Sequence, residues 1–513
     1  MKGGLIAGAN SWVLAFVSNK NPLMIYNTLS KKKELFKPIE PGKVKIYTCG
    51  LTVNDYMHIG HARTYILWDT VVRYLKYVGY DVFHVSNVTD VSVDERFMKR
   101  TKELGISYQQ LIEKFTWAYF KDREALGISR ADVQPLVTQH IREIIEFIEK
   151  LLEKGYAYEA EDGVYFDVRK FKDYGKLSGV VVSALKAGGS RRVGLDEYDK
   201  AGAGDFALWR KALPDEPYWF SPWGKGRPGW HIECSTMAMK YLGQTVDIHG
   251  GGEEHIFPHH ENEIAQSEAL TRKPFANYWI HARHVFLNGK RMSKSKKNYI
   301  LIEDAVNKYG AALVRLYLLT VHYRKRMDFD EQEILRLRAK LACLESAVHL
   351  VKVLPSQEDK GTNTSEKKLL EAIQRAKETF SNAMDNDFNT GLAVNAVLSL
   401  AKSVIQHFLK GRSINKEMAE TLNAFLAGAC VVLFGDLFER EVSASLDRRS
   451  QELLEFLLSI RERLRKDREY DLSDSIRMKL AEFGIEVQDT LAGPKYVLKP
   501  VVKPSRESCN SFN

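Results

Sequence analysis

Around residue 50 the order of hydrophobic and polar positions predicts three consecutive elements. Lys43-Val44-Lys45-Ile46-Tyr47-Thr48 alternates polar and apolar residues and predicts a strand ending at Cys49-Gly50. From Gly60 to Tyr77, Ala62, Tyr65, Ile66, Val72 and Leu75 recur at helical spacing, and Gly79 stops the predicted helix. Val82-Phe83-His84-Val85 predicts the next strand. This is a β-α-β unit, the seed of a parallel sheet, and ligands of such sheets gather beyond the carboxyl ends of the strands. Cys49, His58, His61 and Thr89 all fall there.

Farther along, residues 97–154 have an amphipathic helical pattern and residues 164–168 read as a short strand. The glycine-rich, charged residues 186–204 predict a surface loop. Sheet patterning resumes at Gly243-Gln244-Thr245-Val246-Asp247-Ile248, so the residues between about 130 and 215 read as an insertion. After Ile300 strand signals give way to helical ones. Residues 357–368 read as a polar linker, and residues 439–450 set off a last small module. No internal repeat is evident.

A chain of 513 residues exceeds one ordinary core, so about three or four domains are expected. With 44% hydrophobic and 27% charged residues the composition is globular, and a net charge of +9 permits a polyanionic partner without requiring one. Cys49, Cys234, Cys343, Cys430 and Cys509 are far apart and odd in number, which argues against a disulfide framework and fits a reducing, cytoplasmic compartment. The apolar residues 5–17, broken by Asn10 and Ser11 behind a single Lys2, fall short of the about 18 needed to span a bilayer. They can be read as a weak signal peptide, but the basic flank is thin and no small-residue cleavage site stands out, so no membrane partner is expected.

Candidate chemistry lies in three places. His58-Ile59-Gly60-His61 opens the predicted helix, whose N-terminal N–H groups and partial positive charge suit a triphosphate. Both histidines can add donors, and Gly60 keeps bulk away from a nucleotide; alone, the tetrapeptide could equally be two surface histidines. Met292-Ser293-Lys294-Ser295, within Gly289-Lys290-Arg291-Met292-Ser293-Lys294-Ser295-Lys296-Lys297-Asn298, can neutralise charge on a pyrophosphate leaving group, or can be a solvated turn. Third, Cys49, Cys234 and the run Pro258-His259-His260-Glu261-Asn262-Glu263 hold metal-ligating groups. Pro258 suits a first helical position, which puts His259 and Glu263 at i and i+4 on one face. Two thiolates, an imidazole and a carboxylate suit tetrahedral Zn²⁺, although either cysteine could equally be a small buried hydrophobe.

Taken with these signatures, Tyr47-Thr48-Cys49-Gly50, Asn54-Asp55-Tyr56-Met57, Trp230-His231-Ile232-Glu233-Cys234-Ser235, Ile248-His249-Gly250-Gly251-Gly252 and Phe257-Pro258-His259-His260-Glu261-Asn262-Glu263-Ile264-Ala265-Gln266-Ser267 make the chain resemble the cysteinyl-tRNA synthetase family of class I aminoacyl-tRNA synthetases. The similarity runs over about residues 24–501. It implies an α/β fold: a Rossmann-like parallel-sheet catalytic domain with an insertion, then an all-α helical bundle and a small C-terminal anticodon-binding module. The implied boundaries are an extension over 1–23, catalytic halves over 24–130 and 216–285, and a connective insertion over 131–215. A stem-contact region with the Met-Ser-Lys-Ser loop spans 286–335, a helical tRNA-binding bundle 336–440 and the anticodon module 450–505. Met24-Ile25-Tyr26-Asn27-Thr28-Leu29 resembles the usual family start, so residues 1–23 are expected to be an extension or the product of a misplaced start codon.

The implied activity is cysteine–tRNA ligase, by way of cysteinyl-adenylate, on L-cysteine, ATP with Mg²⁺, and tRNA(Cys), in a cytoplasmic monomer. By resemblance His58, His61 and Lys294 are catalytic, and they bind ATP together with Gly250 and Gly251. Thr89, Trp230 and His249 line the amino-acid pocket, and Cys49, Cys234, His259 and Glu263 hold one Zn²⁺ that takes the substrate thiolate. Serine is nearly isosteric with cysteine and a hydrophobic pocket separates them poorly, whereas Zn²⁺ prefers a thiolate to a neutral hydroxyl. Four details depart from the family pattern: Arg291 for the first lysine of Lys-Met-Ser-Lys-Ser, residues 91–96 for an acidic pair and lysine, Glu253-Glu254 for a small residue and aspartate, and Tyr496 near a usual tryptophan.

Two alternatives remain at this point. A ligase joining cysteine to a small amino-sugar acceptor would lack the about 180 residues that follow Leu335, and an inactive RNA-binding derivative would not need the intact metal set. Residues 451–503 hold ten basic and ten acidic side chains, so the tail is not a polybasic arm. Residues 461–468 read as a positive helix, either a solvated face with i,i+4 pairs or a face for RNA.

Overall fold

A computed structural model describes residues 22–91, 95–182, 204–213, 216–292, 298–353, 364–410, 414–482, 485–490 and 493–498. Strands β1 (Lys43–Thr48), β2 (Asp81–Ser86), β3 (Val246–Gly252) and β4 (Ala276–Ala282) form a parallel sheet in the order β4-β3-β1-β2. Ile46 sits between Ile248 and His84, and Tyr47 between His249 and Val85. Helix α1 (Ile59–Tyr77) joins β1 to β2, α2 (Trp230–Leu242) precedes β3, and α3 (Glu261–Thr271) joins β3 to β4. The chain thus winds one way from β1 and later returns on its other side. This puts the topological switch, where open α/β sheets bind ligands, between β1 and β3. Strand β3 is buried along its whole length. A Cβ at Gly250 would lie 2.0 Å from the Ile280 carbonyl oxygen and 2.4 Å from the Trp68 ring, so glycine lets β3 lie flush against β4 and α1.

Between β2 and α2 lie helices Glu95–Leu104, Tyr108–Ala125 and Ile141–Glu153, in place of one helical stretch over 97–154. Gly105 and Gly127, both at φ +63°, end the first two, as residues that adopt left-handed backbone without a Cβ penalty. A five-stranded antiparallel sheet follows, ordered Ala157–Ala160, Gly163–Phe166, Phe206–Lys211, Gly224–Pro228, Trp219–Ser221. Its Phe166, Phe206, Leu208 and Trp209 pack with Ile144, Phe147 and Leu151 and with α2 and α3 side chains in one core. Pairing continues to Pro228, beyond residue 215. Gly-Lys-Gly-Arg-Pro carries no apolar alternation, and Gly226 is required because its Cβ would lie 2.3 Å from the Arg210 carbonyl. Most of the predicted loop over 186–204 lies outside the described residues.

After β4, Val285–Leu287 pairs antiparallel with Lys290–Arg291 and parallel with Met327–Phe329. Helices Ile302–Tyr309, Ala311–Leu319, Glu331–Val353, Thr364–Asp385, Thr390–Leu409 and Lys416–Phe434 follow. Thr390–Leu409 and Lys416–Phe434 are long and apolar enough to cross a membrane, but Val394, Val397, Leu422 and Leu426 are buried within this bundle. The fully buried Arg315 ties α1 to the bundle. It donates to the Asp69 carboxylate and to the carbonyls of Leu433 (2.5 Å), Leu126 (3.1 Å) and Gly127 (3.3 Å), while Asp69 also accepts from Arg73 Nε and Ser129 N, each at 2.9 Å. The expected linker over 357–368 is helical from Thr364.

The chain divides into a unit ending at Phe438 and a second one from Glu439. Residues 439–450, expected as a linker, belong instead to the continuous helix Leu437–Lys466. Their charged, alanine- and leucine-bearing sequence has good helix propensity and no Gly or Pro to stop it. The second unit adds helix Tyr470–Glu482 and a hairpin, Ile485–Thr490 with Gly493–Leu498, around Leu454, Leu458, Leu480 and Val487. Within 461–468, Glu462 and Lys466 form an i,i+4 pair at 3.4 Å, but Arg461 is buried rather than solvated.

Candidate metal and nucleotide site

Three elements meet at the switch point. Cys49 follows β1, Cys234 lies in α2, and His259 and Glu263 lie just before and within α3. Cys49 Sγ is 3.8 Å from Cys234 Sγ and 3.5 Å from Glu263 Oε1, and His259 Nε2 is 3.1 Å from the same oxygen. All four side chains are buried. For tetrahedral Zn²⁺ with bonds of about 2.3 Å to sulfur and about 2.0–2.1 Å to nitrogen or oxygen, ligand atoms should be separated by about 3.8 Å for two sulfurs and about 3.3–3.6 Å for mixed pairs. The donor set therefore fits the ion. Regular helix starts at Glu261 rather than Pro258, because residues 256–260 form a separate, wider turn with Phe257 in extended backbone (φ −141°, ψ 130°); His259 and Glu263 still meet as an i,i+4 pair.

Cys49, His249, His260 and Glu263 also converge. Here His249 Nε2 is 2.8 Å from Glu263 Oε2 and His260 Nε2 is 3.2 Å from Cys49 Sγ, separations of hydrogen bonds to the inner four. The outer ring continues with His231 Nδ1 at 2.9 Å from His259 Nδ1 and His281 Nε2 at 2.7 Å from His260 Nδ1. His281 Nδ1 in turn lies 2.9 Å from Thr28 Oγ1. Such partners orient metal ligands and tune their basicity. Burial holds His231 down to about 3 and keeps His259, His260 and His281 well below the usual imidazole range, so they are neutral. Burial, with Cys234 and Glu263 beside it, pushes the Cys49 thiol well up, and a divalent cation reverses that balance.

The three residues expected in the amino-acid pocket surround this cluster. The Trp230 ring stacks on His259 with centroids 4.1 Å apart, and His249 stacks on Trp279 at 4.6 Å. Thr89 Oγ1 donates to Glu233 at 3.2 Å and accepts from Asn87 Nδ2 at 3.0 Å. Asn87 Oδ1 accepts from Gly50 N at 2.9 Å, which fixes the turn after Cys49. Burial pushes the Glu233 carboxyl well above its ordinary value.

At the start of α1, His58 is the N-cap. Its Nδ1 accepts from Gly60 N at 3.1 Å, and His61 Nδ1 accepts from His58 N at 3.3 Å. The rings stack with centroids 3.7 Å apart. This is a capping box built from two imidazoles. Because each Nδ1 accepts, each neutral ring carries its proton on Nε2. Gly60 has a nearer reason than access for a nucleotide: a Cβ there would lie 2.8 Å from His58 Cε1. Likewise a Cβ at Gly251 would lie 2.5 Å from His255 Nδ1. The chain on both sides of the lysine loop is anchored, by Met292 N to the Val285 carbonyl (3.2 Å), Asn298 Nδ2 to that of Lys290 (3.4 Å), and Ile59 N to that of Ile300 (3.0 Å). Lys294 itself lies outside the described residues, as does the Tyr496 side chain. Sequence reasoning missed His231, His260, His281 and Asn87. None has a motif spacing of its own, although His260 adjoins His259.

The family of tRNA synthetases class I (C) catalytic domains matches residues 35–339. A cysteine--tRNA ligase of Thermococcus onnurineus is 44% identical over 475 residues, covering 92% of this chain and 98% of its own. That of Carboxydothermus hydrogenoformans is 45% identical over 478 residues, covering 92% and 99%. Among solved structures, Mycobacterium tuberculosis methionyl-tRNA synthetase in complex with methionyl-adenylate is similar with a TM-score of 0.55 at 17% identity, covering 81% of this chain and 94% of that one. A ternary complex of Agrobacterium radiobacter K84 agnB2 LeuRS with tRNA and LeuAMS gives 0.59 at 13%, covering 80% and 86%. At such low identity these two speak for the fold alone, whereas the curated relatives match nearly end to end. The chain belongs to the cysteine–tRNA ligase family of class I aminoacyl-tRNA synthetases.

Proposed function

We propose that the chain activates L-cysteine with Mg·ATP and transfers the acyl group to the terminal adenosine of tRNA(Cys). The observation that carries this reading is the buried set Cys49, Cys234, His259 and Glu263 at the switch point of the sheet, whose ligand atoms all lie within 4.8 Å of one another. A zinc ion held by these four would take the substrate sulfur as a thiolate and lower its pKa, which separates cysteine from serine. Trp230, Thr89 and His249 enclose the amino acid. The Nε2–H groups of His58 and His61 and the N-terminus of α1 bind the phosphates, with Gly250 and Gly251 giving the nucleotide room. Lys294 neutralises charge on the leaving group.

In the first step the cysteine carboxylate oxygen bonds to the α-phosphorus, the α–β bridging P–O bond breaks, and pyrophosphate leaves. In the second, a ribose hydroxyl of the terminal adenosine takes the acyl carbon and AMP leaves. Neither step uses a nucleophilic side chain, so catalysis rests on positioning and electrostatics. We assign residues 24–130 and 229–285 to the catalytic domain, 131–228 to the insertion, whose sheet runs to Pro228, 286–335 to stem contact, 336–440 to the tRNA-binding bundle and 450–505 to the anticodon module of a cytoplasmic monomer.

The test is cysteine-dependent ATP–pyrophosphate exchange followed by charging of a tRNA(Cys) transcript, with serine as competitor. Exchange and charging with cysteine alone are expected. Exchange without charging would instead favour a small acceptor such as an amino sugar, and no exchange in the presence of zinc would favour an inactive RNA-binding protein.

A further inference from the structure

Arg63, two residues after His61, is 3% exposed, yet among the described contacts its guanidinium donates to no carboxylate. Instead four backbone carbonyls converge on it: Arg283 (3.0 Å) and His284 (3.1 Å) on Nη1, His322 (3.1 Å) and Lys325 (2.6 Å) on Nη2. Glu253, just beyond β3, holds the same peptide from the other side. Its carboxylate accepts from His284 N at 2.8 Å, lies 2.7 Å from His284 Nδ1, and accepts from Arg283 Nη1 at 2.9 Å. Burial pushes the Glu253 carboxyl up, but the hydrogen bonds from His284 and the Arg283 charge bring it down to about 2, so it stays ionised.

Arg283-His284 is where the chain leaves β4 for the strand pair Val285–Leu287 and Lys290–Arg291. His322 and Lys325 precede Met327–Phe329, the other neighbour of Val285–Leu287. Arg63 therefore grips both segments that carry this small sheet. It does so from α1, five residues after the His58 cap, and a regular helix transmits its position to both histidines. An apolar side chain could fill the same space, but only a planar fork of donors satisfies several converging carbonyls at once.

We propose that Arg63 and Glu253 form a clamp on the Arg283-His284 peptide that holds the strand pair over residues 285–291 in register with the phosphate-facing start of α1, making both of them positioning residues for adenylate formation. The proposal rests on the reading that His58 and His61 bind ATP phosphates. Residues 290–292 lead directly into Ser293-Lys294 in the sequence, so the clamp sets where that segment departs.

The test uses Arg63→Lys, Glu253→Ala and Glu253→Gln in the full-length chain, with pyrophosphate-exchange kinetics, zinc content, and amide hydrogen exchange over residues 285–291. Arg63→Lys keeps the charge and loses the fork, so its exchange kcat should fall about 100-fold, with KM for cysteine within about two-fold and zinc content unchanged. Glu253→Ala should lower kcat about 10-fold, and Glu253→Gln should restore most of it, because its amide oxygen still accepts the His284 N–H. Wild-type kcat and wild-type amide protection in both Arg63→Lys and Glu253→Ala would overturn the clamp, as would losses accompanied by lost zinc. A wild-type chain that shows no exchange would overturn the ATP reading instead, and the amide protection of the variants would still decide the clamp.

Discussion

A methyl group added at Gly60 lands 2.8 Å from Cε1 and 3.0 Å from Nδ1 of His58, so the imidazole must turn away. Turning breaks its bond to Gly60 N at 3.1 Å and unseats the stack on His61. Losing an N-cap costs about 1 kcal/mol. Alanine in place of glycine in a helix returns up to about 1 kcal/mol. The two nearly cancel, so Gly60→Ala should move the thermal midpoint by about 2 °C or less. Catalysis has no such offset. Donors displaced by about 1 Å from the phosphates lose about 100-fold in rate, equivalent to about 2.7 kcal/mol of transition-state stabilisation. Pyrophosphate-exchange kcat and scanning fluorimetry on the same preparation check both halves. Wild-type kcat would refute the histidine cap as a phosphate-binding device, and so would a loss of activity tracking a large fall in the midpoint.

Other substitutions test other parts of the molecule. Cys234→Ser puts a neutral hydroxyl where a thiolate is needed and should lose stoichiometric zinc by metal analysis; a full complement would refute the ligand assignment. His231→Ala removes the partner of His259 Nδ1 and should weaken zinc binding about 10–100-fold in a chelator competition, and unchanged affinity would show that His231 does not support the ligand. Asp69→Asn leaves the Arg315 charge buried without its carboxylate and should destabilise by about 3–5 kcal/mol, read as a lower thermal midpoint. Burial raises the Asp69 carboxyl, but the Arg315 and Arg73 charges together bring it below the ordinary aspartate value of about 3.9. Its contribution is thus present above that value and is lost as pH falls through the lower folded pKa, so the gap between wild type and Asp69→Asn should stay constant from about pH 5 to 8 and close only in acid. A gap that closes on raising the pH would contradict this sign.

Much of the central sheet was legible because β1 and α1 follow their periods closely. The α1 boundary came within a residue, since Gly60 and the flanking histidines mark a helix start. Metal ligands drawn from segments up to 214 residues apart leave no spacing signature, and resemblance rather than periodicity brought Cys49 to Glu263. The outer histidines were hidden for the same reason: a hydrogen bond between His260 and His281 depends on how β4 lies beside α3. Arg315 was equally invisible, because one arginine inside Ala-Ala-Leu-Val-Arg-Leu reads as a blemish in an apolar helix until four acceptors surround it. In the insertion, Gly224–Pro228 forms a strand although Gly-Lys-Gly-Arg-Pro has no apolar alternation, so side-chain patterning could not report it.

The strand order of the central sheet also bears on how the chain is made. Strand β1 needs β3 on one side, yet about 200 residues separate Thr48 from Val246, and a ribosome adding about 5–20 residues per second takes about 10–40 s to supply them. Throughout that interval a nascent chain already able to close its first β-α-β unit presents one bare edge of β1, with the Cys49 thiol at the end of it. Until α2 and α3 emerge, that thiol lacks its buried surroundings and stands open to oxidation or to pairing with a stray strand. The interleaved topology that assembles the site thus leaves one edge of β1 and the Cys49 thiol without their partners until the sheet's return winding, from α2 to α3, has been made.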